Sequence, residues 1–420
     1  MDAPVCILGG GPGGCVAAMQ LAKHGVRSIV LERSVFPRDK VCGDALSGKV
    51  MRTLERLDPE LAMEVKANAH AMPSWGVTFV APSGRSLRVP FSRNINTGEA
   101  PGVILPRLKF DALLFERMKR TEGVTVVEGT AADAFDRSPE GWIIGTKGQD
   151  RTVRVPLIID ASGANSQFAR QIGALGMEPR HHAAGVRAYF SGVKDLDPNG
   201  FIELLFLKEL LPGYLWVFPL PNGRANVGLG LRSDVVRKRR VDLKALLKNL
   251  ITEHPQLRER FKDATMEGPL QGMGLPLASK KRKLSGDGYT LVGDAGHLID
   301  PFTGEGISHA MISGVHAANV AAEALVEHKS AGVVSAQLLK EYDARVWNRL
   351  GQELAISTRL QQMADKPWLF DFVVDRANKN PALADTISSM FTDLDLRARL
   401  KKPGFYLDLV LGRVPSHAHG

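Results

Sequence analysis

The sequence predicts a mixed α/β fold. A parallel Rossmann-type sheet is assembled from distant segments, a β-rich domain is interleaved with it, and a mainly helical region closes the C-terminus. Three observations predict this. A strand–helix–strand pattern stands at the extreme N-terminus. Short apolar runs that suit buried parallel strands recur at 124–127, 157–159 and 289–292. The stretches between them alternate in polarity or end in turn residues, as antiparallel strands do.

From the N-terminus, residues 5–8 (Val-Cys-Ile-Leu) form an apolar run ended by glycines. Residues 13–25 carry Val16, Met19, Leu21 and Ala22 at helical spacing, and 28–31 is a second apolar run. Alternation over 75–80 puts Trp75, Val77 and Phe79 on one face. Residues 185–191 and 201–206 are strand candidates. Residues 214–219 and 225–231 are two more, joined by Pro221-Asn222-Gly223, a strong hairpin signal. Residues 240–254 and 306–328 read as helices. So does most of the chain from 335 to about 400, with Leu350, Leu354, Leu360 and Met363 among its apolar positions. The first domain is thus expected at 1–70, 105–180 and 285–330. The β-rich domain is expected at 71–104 and 181–284, and the helical region at 331–420.

A chain of 420 residues suits two or three folding units. Its 44% hydrophobic and 24% charged residues match globular proteins and exclude extensive disorder. The cysteines are Cys6, Cys15 and Cys42, an odd number without a Cys-x-x-Cys pair. That excludes a disulfide framework and a zinc or redox pair, and it suits a reducing, cytoplasmic compartment. The first apolar run breaks before a secretory core could form, and no run reaches the roughly 18 apolar residues of a membrane span. The net charge of +9 concentrates at 237–240 and 280–283. These runs are read as solvated faces, with docking to an anionic membrane surface or attraction of a phosphorylated substrate as the functional alternatives. No nucleic-acid motif accompanies them.

Gly9-Gly10-Gly11-Pro12-Gly13-Gly14 contains Gly-x-Gly-x-x-Gly between the first strand and helix. Gly9 suits a tight turn, Gly11 the close approach of a pyrophosphate, and Gly14 close packing of helix on strand. Glu32, with Arg33 beside it, ends the second strand about 20 residues on, where a carboxylate accepts from an adenosine ribose. A second motif separates FAD from NAD(P). Leu291-Val292-Gly293-Asp294-Ala295-Gly296-His297 is followed by Pro301 and by Gly304-Glu305-Gly306-Ile307. Asp294 at a strand end can bind the ribityl chain. The helix opening at Gly304, Gly306 and Ile307 offers N–H groups to the pyrimidine edge of a flavin. His297 and His309 flank this motif and are read as structural, and no spacing suggests a metal.

These motifs resemble the FAD-dependent group of geranylgeranyl reductases, aromatic hydroxylases and flavin halogenases, over about residues 1–325. The resemblance implies a glutathione reductase-like FAD-binding domain. Its mid-chain segment is Asp160-Ala161-Ser162-Gly163, in which Ser162 replaces the hydroxylases' Asp, and Gly163 is implied at the cofactor. Arg107 in Leu105-Pro106-Arg107 matches a family arginine near FAD. Two segments resemble the geranylgeranyl reductases most. Tyr214-Leu215-Trp216-Val217-Phe218-Pro219 matches a Tyr-x-Trp-x-Phe-Pro segment that lines the family's substrate cavity, and its period places the three rings on one face. Lys40-Val41-Cys42-Gly43 matches a Lys-x-Cys-Gly stretch beside the flavin, which implies Cys42 as proton donor or polar contact. Cys42, Tyr214 and Trp216 are therefore the catalytic candidates. Ser74 stands where some halogenases carry lysine.

The implied activity is saturation of C=C bonds in an isoprenoid or lipid-like, apolar small molecule by hydride from reduced flavin N5. The alternatives are an FAD monooxygenase, or less fittingly a halogenase, acting on an aromatic or apolar substrate, and a binding protein that holds FAD only structurally. The expected electron donor is NAD(P)H or a reduced carrier protein. Peripheral membrane contact through the basic runs or the 405–411 segment is the expected route to a lipid.

Overall fold

A computed structural model describes residues 3–92, 95, 98–147, 152–328, 331–364 and 366–380. Its first sheet has six strands in the order Ser285–Gly286, Tyr289–Leu291, Leu157–Asp160, Val5–Leu8, Ser28–Leu31, Val124–Val127. All neighbours are parallel except the first pair. Val5 lies opposite Leu157 on one side and Ser28 on the other. The strands are apolar on both faces because both faces are covered. Val5, Ile7 and Val30 join the core under helices Pro12–Lys23, Arg107–Lys119 and Ile307–Glu327. Cys6, Leu8, Ile29 and Leu31 face a three-stranded meander, Ala132–Ser138, Gly141–Thr146 and Thr152–Val155, with Trp142 buried beneath it. The sequence reading did not foresee this meander.

The second large sheet runs Thr265–Pro276, His182–Ser191, Arg224–Arg232, Tyr214–Leu220, Ile202–Leu205, Gly76–Val80, Ser86–Pro90. The hairpin at 221–223 forms, with Asn222 and Gly223 both at positive φ (63° and 68°). Leu215, Val217, Val227 and Leu229 pack with helix Leu243–Glu253 on one face. Trp216, Phe218, Ile202 and Leu204 form a separate core on the other. A small sheet, Ala45–Leu46, Gly102–Ile104 and Met72–Ser74, lies between the two large ones in the chain's path.

The helix expected at 240–254 starts later. Asp242 accepts from the N–H groups of Lys244 and Ala245 and so fixes the start at Leu243, while Arg240 adopts φ 53° after a separate helix, Ser233–Arg239. The helix expected at 306–328 spans Ile307–Glu327. The C-terminal helices are Ala336–Met363 and Pro367–Lys379. The rest of the helix expected to about 400, and the 405–411 segment, lie outside the described residues.

Candidate active site

The glycine loop and first helix are tightly built. A Cβ on Gly14 would lie 1.9 Å from the Gly9 carbonyl oxygen, so only glycine lets helix and strand approach this closely. At Gly11 the nearest atom to such a Cβ is Arg38 Nη2, 3.8 Å away. Gly11 is the residue before the helix, and no side chain caps that end. The loop thus presents open space and free N–H groups where a pyrophosphate would bind. Glu32 is buried and braces the loop: its two oxygens accept from the N–H groups of Gly10 and Ser34, both at 2.7 Å. Each oxygen retains a lone pair for a ribose hydroxyl. Arg33 is exposed beside it.

A cavity of about 470 Å³ extends from this loop between the two large sheets. Its lining brings together Arg33, Cys42, Arg107, Gly163, Tyr214, Trp216, Asp294, Pro301, Gly304, Gly306 and Ile307. Gly9, Gly11, Gly14 and Glu32 do not line it, whereas Pro12, the first residue of the helix that follows Gly11, does. Asp294 is paired with Lys40 at 3.2 Å, and Lys40 Nζ also lies 3.8 Å from where a Cβ on Gly163 would stand. Arg107 is buried and gives its guanidinium to Asp111 at 2.6 and 2.8 Å, with the Cys42 thiol as a further neighbour. Arg38 shares the same Asp111 at 2.6 Å.

Arg38 was missed by sequence reasoning. Its place beside the dinucleotide loop depends on Asp111, 73 residues away, and on the ring of Phe36, over which it stacks at 4.7 Å.

The aromatic strand forms one wall. Successive ring centroids of Tyr214, Trp216 and Phe218 are 6.3 and 6.4 Å apart. The Tyr214 hydroxyl donates to the Thr303 carbonyl and so ties this wall to the Pro301–Gly306 loop. Trp216 donates its indole N–H to Asn226 Oδ1 at 2.9 Å. Asn226 Nδ2 in turn donates to the Cys42 carbonyl and to Asp44, both at 2.7 Å. Gly43 lies close under the Phe218 ring: a Cβ there would lie 2.6 Å from it.

Ser74 lines the cavity with its hydroxyl donated to the Gly200 carbonyl at 3.0 Å. His309 is buried, with Nδ1 2.7 Å from the Leu298 carbonyl. Burial pushes His297 down to about 4. No group of three metal-ligating side chains occurs among the described residues. The run at 280–283 is not a uniform surface patch. Arg282 is buried and donates to backbone carbonyls of Leu277 and Lys280, and Lys280 pairs with Glu178. No described helix is long and apolar enough to cross a membrane.

The open cradle at Gly11, the uncapped helix start, and Gly163 and Asp294 on the lining of one cavity fit an FAD molecule. The FAD binding domain model matches residues 2–350. The chain belongs to that FAD-binding family. It is an FAD-dependent oxidoreductase of the geranylgeranyl reductase type within it. The chain is 30% identical over 361 residues to a digeranylgeranylglycerophospholipid reductase of Thermoplasma acidophilum, covering 82% of this chain and 83% of that one. It is 28% identical to a menaquinone reductase of Mycolicibacterium smegmatis, over 86% of each chain. Among solved structures, a geranylgeranyl bacteriochlorophyll reductase-like protein of Thermoplasma acidophilum superposes with a TM-score of 0.76 at 25% identity. The match covers 93% of this flavoprotein and 99% of that chain.

Proposed function

We propose that this FAD-dependent oxidoreductase saturates C=C bonds in an isoprenoid or other lipid-like chain. The observation that carries the reading is the aromatic wall of Tyr214, Trp216 and Phe218. Tyr214 ties it to the loop before the Gly304–Ile307 helix start, and the two line one cavity with apolar groups such as Ile202, Leu204 and Phe91. Such a cavity suits a long unsaturated hydrocarbon. The names of the reductase relatives point the same way.

Reduced FAD supplies the hydride for one alkene carbon. Gly11, the first helix, Glu32 and Arg38 would hold the dinucleotide part. Gly163, Asp294 and the Gly304–Ile307 helix start would hold the flavin part. Trp216 and Phe218 hold the alkene and exclude water. The second carbon needs a proton. The Tyr214 and Ser74 hydroxyl hydrogens are committed to the backbone carbonyls of Thr303 and Gly200. The half-buried Cys42 thiol lines the same cavity, and its sulfur is met by the Asp44 N–H at a long 3.5 Å and by the Arg107 guanidinium. Cys42 is therefore the donor, and Arg107 beside it stabilises the thiolate left behind.

Anaerobic, flavin-reduced protein mixed with a geranylgeranyl-bearing lipid should return to oxidised flavin, and the product should gain two hydrogens per bond. A flavin–oxygen adduct on mixing with oxygen, with hydroxylation of an aromatic compound, would establish the monooxygenase instead. Trp216→Ala should lower turnover with FAD still bound. Loss of FAD would remove Trp216 from the substrate wall. The electron donor is taken to be NAD(P)H or a reduced carrier protein. Membrane contact is assigned to the exposed residues at 237–240, and flotation with anionic but not neutral liposomes tests it.

A further inference from the structure

Asp44 follows the Cys42-Gly43 pair, and no motif considered above uses it. It is fully buried and has φ 70°, a left-handed conformation that Asp and Asn tolerate better than other side chains. Its carboxylate is a meeting point for three elements. The Arg107 N–H, at the start of helix Arg107–Lys119, donates to Oδ1 at 3.1 Å. The Tyr189 hydroxyl, from strand His182–Ser191, donates to Oδ2 at 2.7 Å. Asn226 Nδ2, from strand Arg224–Arg232, donates to the same oxygen at 2.7 Å. The Asp44 backbone N–H meets Cys42 Sγ, and its carbonyl accepts from Leu105.

Each of these partners leads to the cavity. Asn226 also holds the Cys42 carbonyl and the Trp216 indole. Arg187, from the Tyr189 strand, donates to the carbonyls of Lys40 and Cys42 and pairs with Asp39. Arg107 neighbours the Cys42 thiol. The acidic loop residue thus connects the thiol side of the cavity to its aromatic side.

We propose that Asp44 is a positioning residue that fixes the Cys42 thiol against the Trp216 wall and keeps that thiol shielded. Its role in turnover rests on the reductase reading above; its role in holding the loop does not. The ionisable groups facing Asp44 are Arg187 and Tyr189 on one strand, Arg224 on the next, and Arg107 on the helix, with Asp39 in the same loop. Burial raises the Asp44 carboxyl to about 6 against the pull of Arg187, Tyr189, Asn226 and the Arg107 N–H. The carboxylate is the form that accepts all three donors, because a protonated oxygen would turn an O–H towards them.

The test is alkylation of Cys42 by iodoacetamide in the FAD-loaded protein. Cys6 and Cys15 are fully buried, so the label reports Cys42. Asp44→Asn keeps the tolerated backbone conformation but turns an amide N–H₂ towards donors. At pH 8 it should speed labelling about tenfold or more, the scale set by losing charge-assisted hydrogen bonds. The ratio of variant to wild type should shrink as pH falls through 6, where wild-type Asp44 itself takes a proton. Tyr189→Phe, which removes one donor and leaves the loop's charges intact, should speed labelling by a smaller factor. It keeps the test available if Asp44→Asn does not fold. Equal labelling rates for the variants and wild type at pH 8 would overturn the proposal. Turnover of a polyprenyl lipid is read separately. If wild type does not reduce the lipid while the labelling differences stand, the reductase reading fails and the positioning role remains. If wild type reduces it and Asp44→Asn does so at the same kcat and KM, positioning for catalysis is overturned.

Discussion

A Cβ placed on Gly228 would lie 2.3 Å from Cζ2 of the Trp216 indole and 2.4 Å from the Val186 carbonyl oxygen. The neighbouring strand therefore gives up a side chain so that the indole can lie against its backbone. Gly228→Ala must push the indole off this seat or bend the strand, and overpacking of this kind costs roughly 1–3 kcal/mol. The expected result is a lower thermal midpoint in the FAD-loaded protein. In a double-mutant cycle, Trp216→Ala should recover part of that loss. Full additivity would show that the two residues do not touch in solution.

The two key glycines of the N-terminal loop should fail in different ways. Gly14→Ala meets the Gly9 carbonyl at 1.9 Å and should impair folding outright. Gly11→Ala meets nothing closer than a flexible arginine at 3.8 Å. The apoprotein should keep its unfolding midpoint, while FAD affinity falls by about tenfold or more, as expected when a methyl blocks a phosphate approach. Calorimetric titration of apoprotein with FAD measures this directly. A destabilised Gly11→Ala apoprotein with normal FAD affinity would contradict the assignment.

Local patterns carried the parts of the fold that are built locally. The run 5–8, the glycine loop and the 28–31 run are contiguous, and so are the 214–231 hairpin and its turn. The meander over residues 132–155 was not legible, because its strands mix exposed polar residues with a few core ones such as Trp142 and Ile144. Strand Thr265–Pro276 exposes most of its residues and contains three glycines; it exists because the long strand His182–Ser191 pairs with it. The site divides the same way. Cys42, Trp216 and Asp294 stand in readable motifs, and the structure places them on one cavity. Arg38, Asn226 and Asp44 acquire their places only through partners tens of residues away or more, which no spacing rule encodes.

A buried charge pair between helices Gly48–Leu57 and Ala336–Met363 should show in acid stability. Lys49, almost fully buried, is ion-paired with Glu353 of helix Ala336–Met363, and His309 lies 3.7 Å from the same carboxylate. Burial works against ionised Glu353, but His309 and Lys49 outweigh it and hold the carboxyl at about 2. A carboxyl depressed in the folded state contributes stability above its unfolded value, near 4.3 for glutamate. That contribution is lost as pH falls from there towards 2. Glu353→Gln should therefore be less stable than wild type at pH 7, by roughly 3 kcal/mol if Lys49 is left without this partner. The gap should close as pH falls below about 4, where Glu353 of the unfolded chain takes up its proton before the folded carboxylate does. Chemical denaturation of both proteins across that range gives the comparison. A constant gap would mean that folding does not lower the Glu353 carboxyl below its unfolded value.

Cys42→Ser separates the proton from the hydride. The serine hydroxyl keeps the size and the hydrogen-bonding capacity of the thiol but is a far weaker acid, so it should fill the same place without giving up its proton readily. Reduction of the bound flavin by an artificial donor should proceed at the wild-type rate, because no step of that reaction uses Cys42. Return of the reduced flavin to its oxidised form by the alkene should slow by about 100-fold or more, the usual contribution of a positioned acid. The slowed step should also show a larger solvent deuterium isotope effect, since proton delivery would then limit it. An unchanged rate with an unchanged isotope effect would mean that the proton reaches the alkene from water, and Cys42 would then be part of the cavity wall only. Arg107→Lys distinguishes the two cases further. It keeps a positive charge but loses the planar fork that holds Asp111 at 2.6 and 2.8 Å. If the thiolate forms during turnover, this change should slow the alkene step in the wild-type background and have little effect in Cys42→Ser, where no thiolate is left to stabilise.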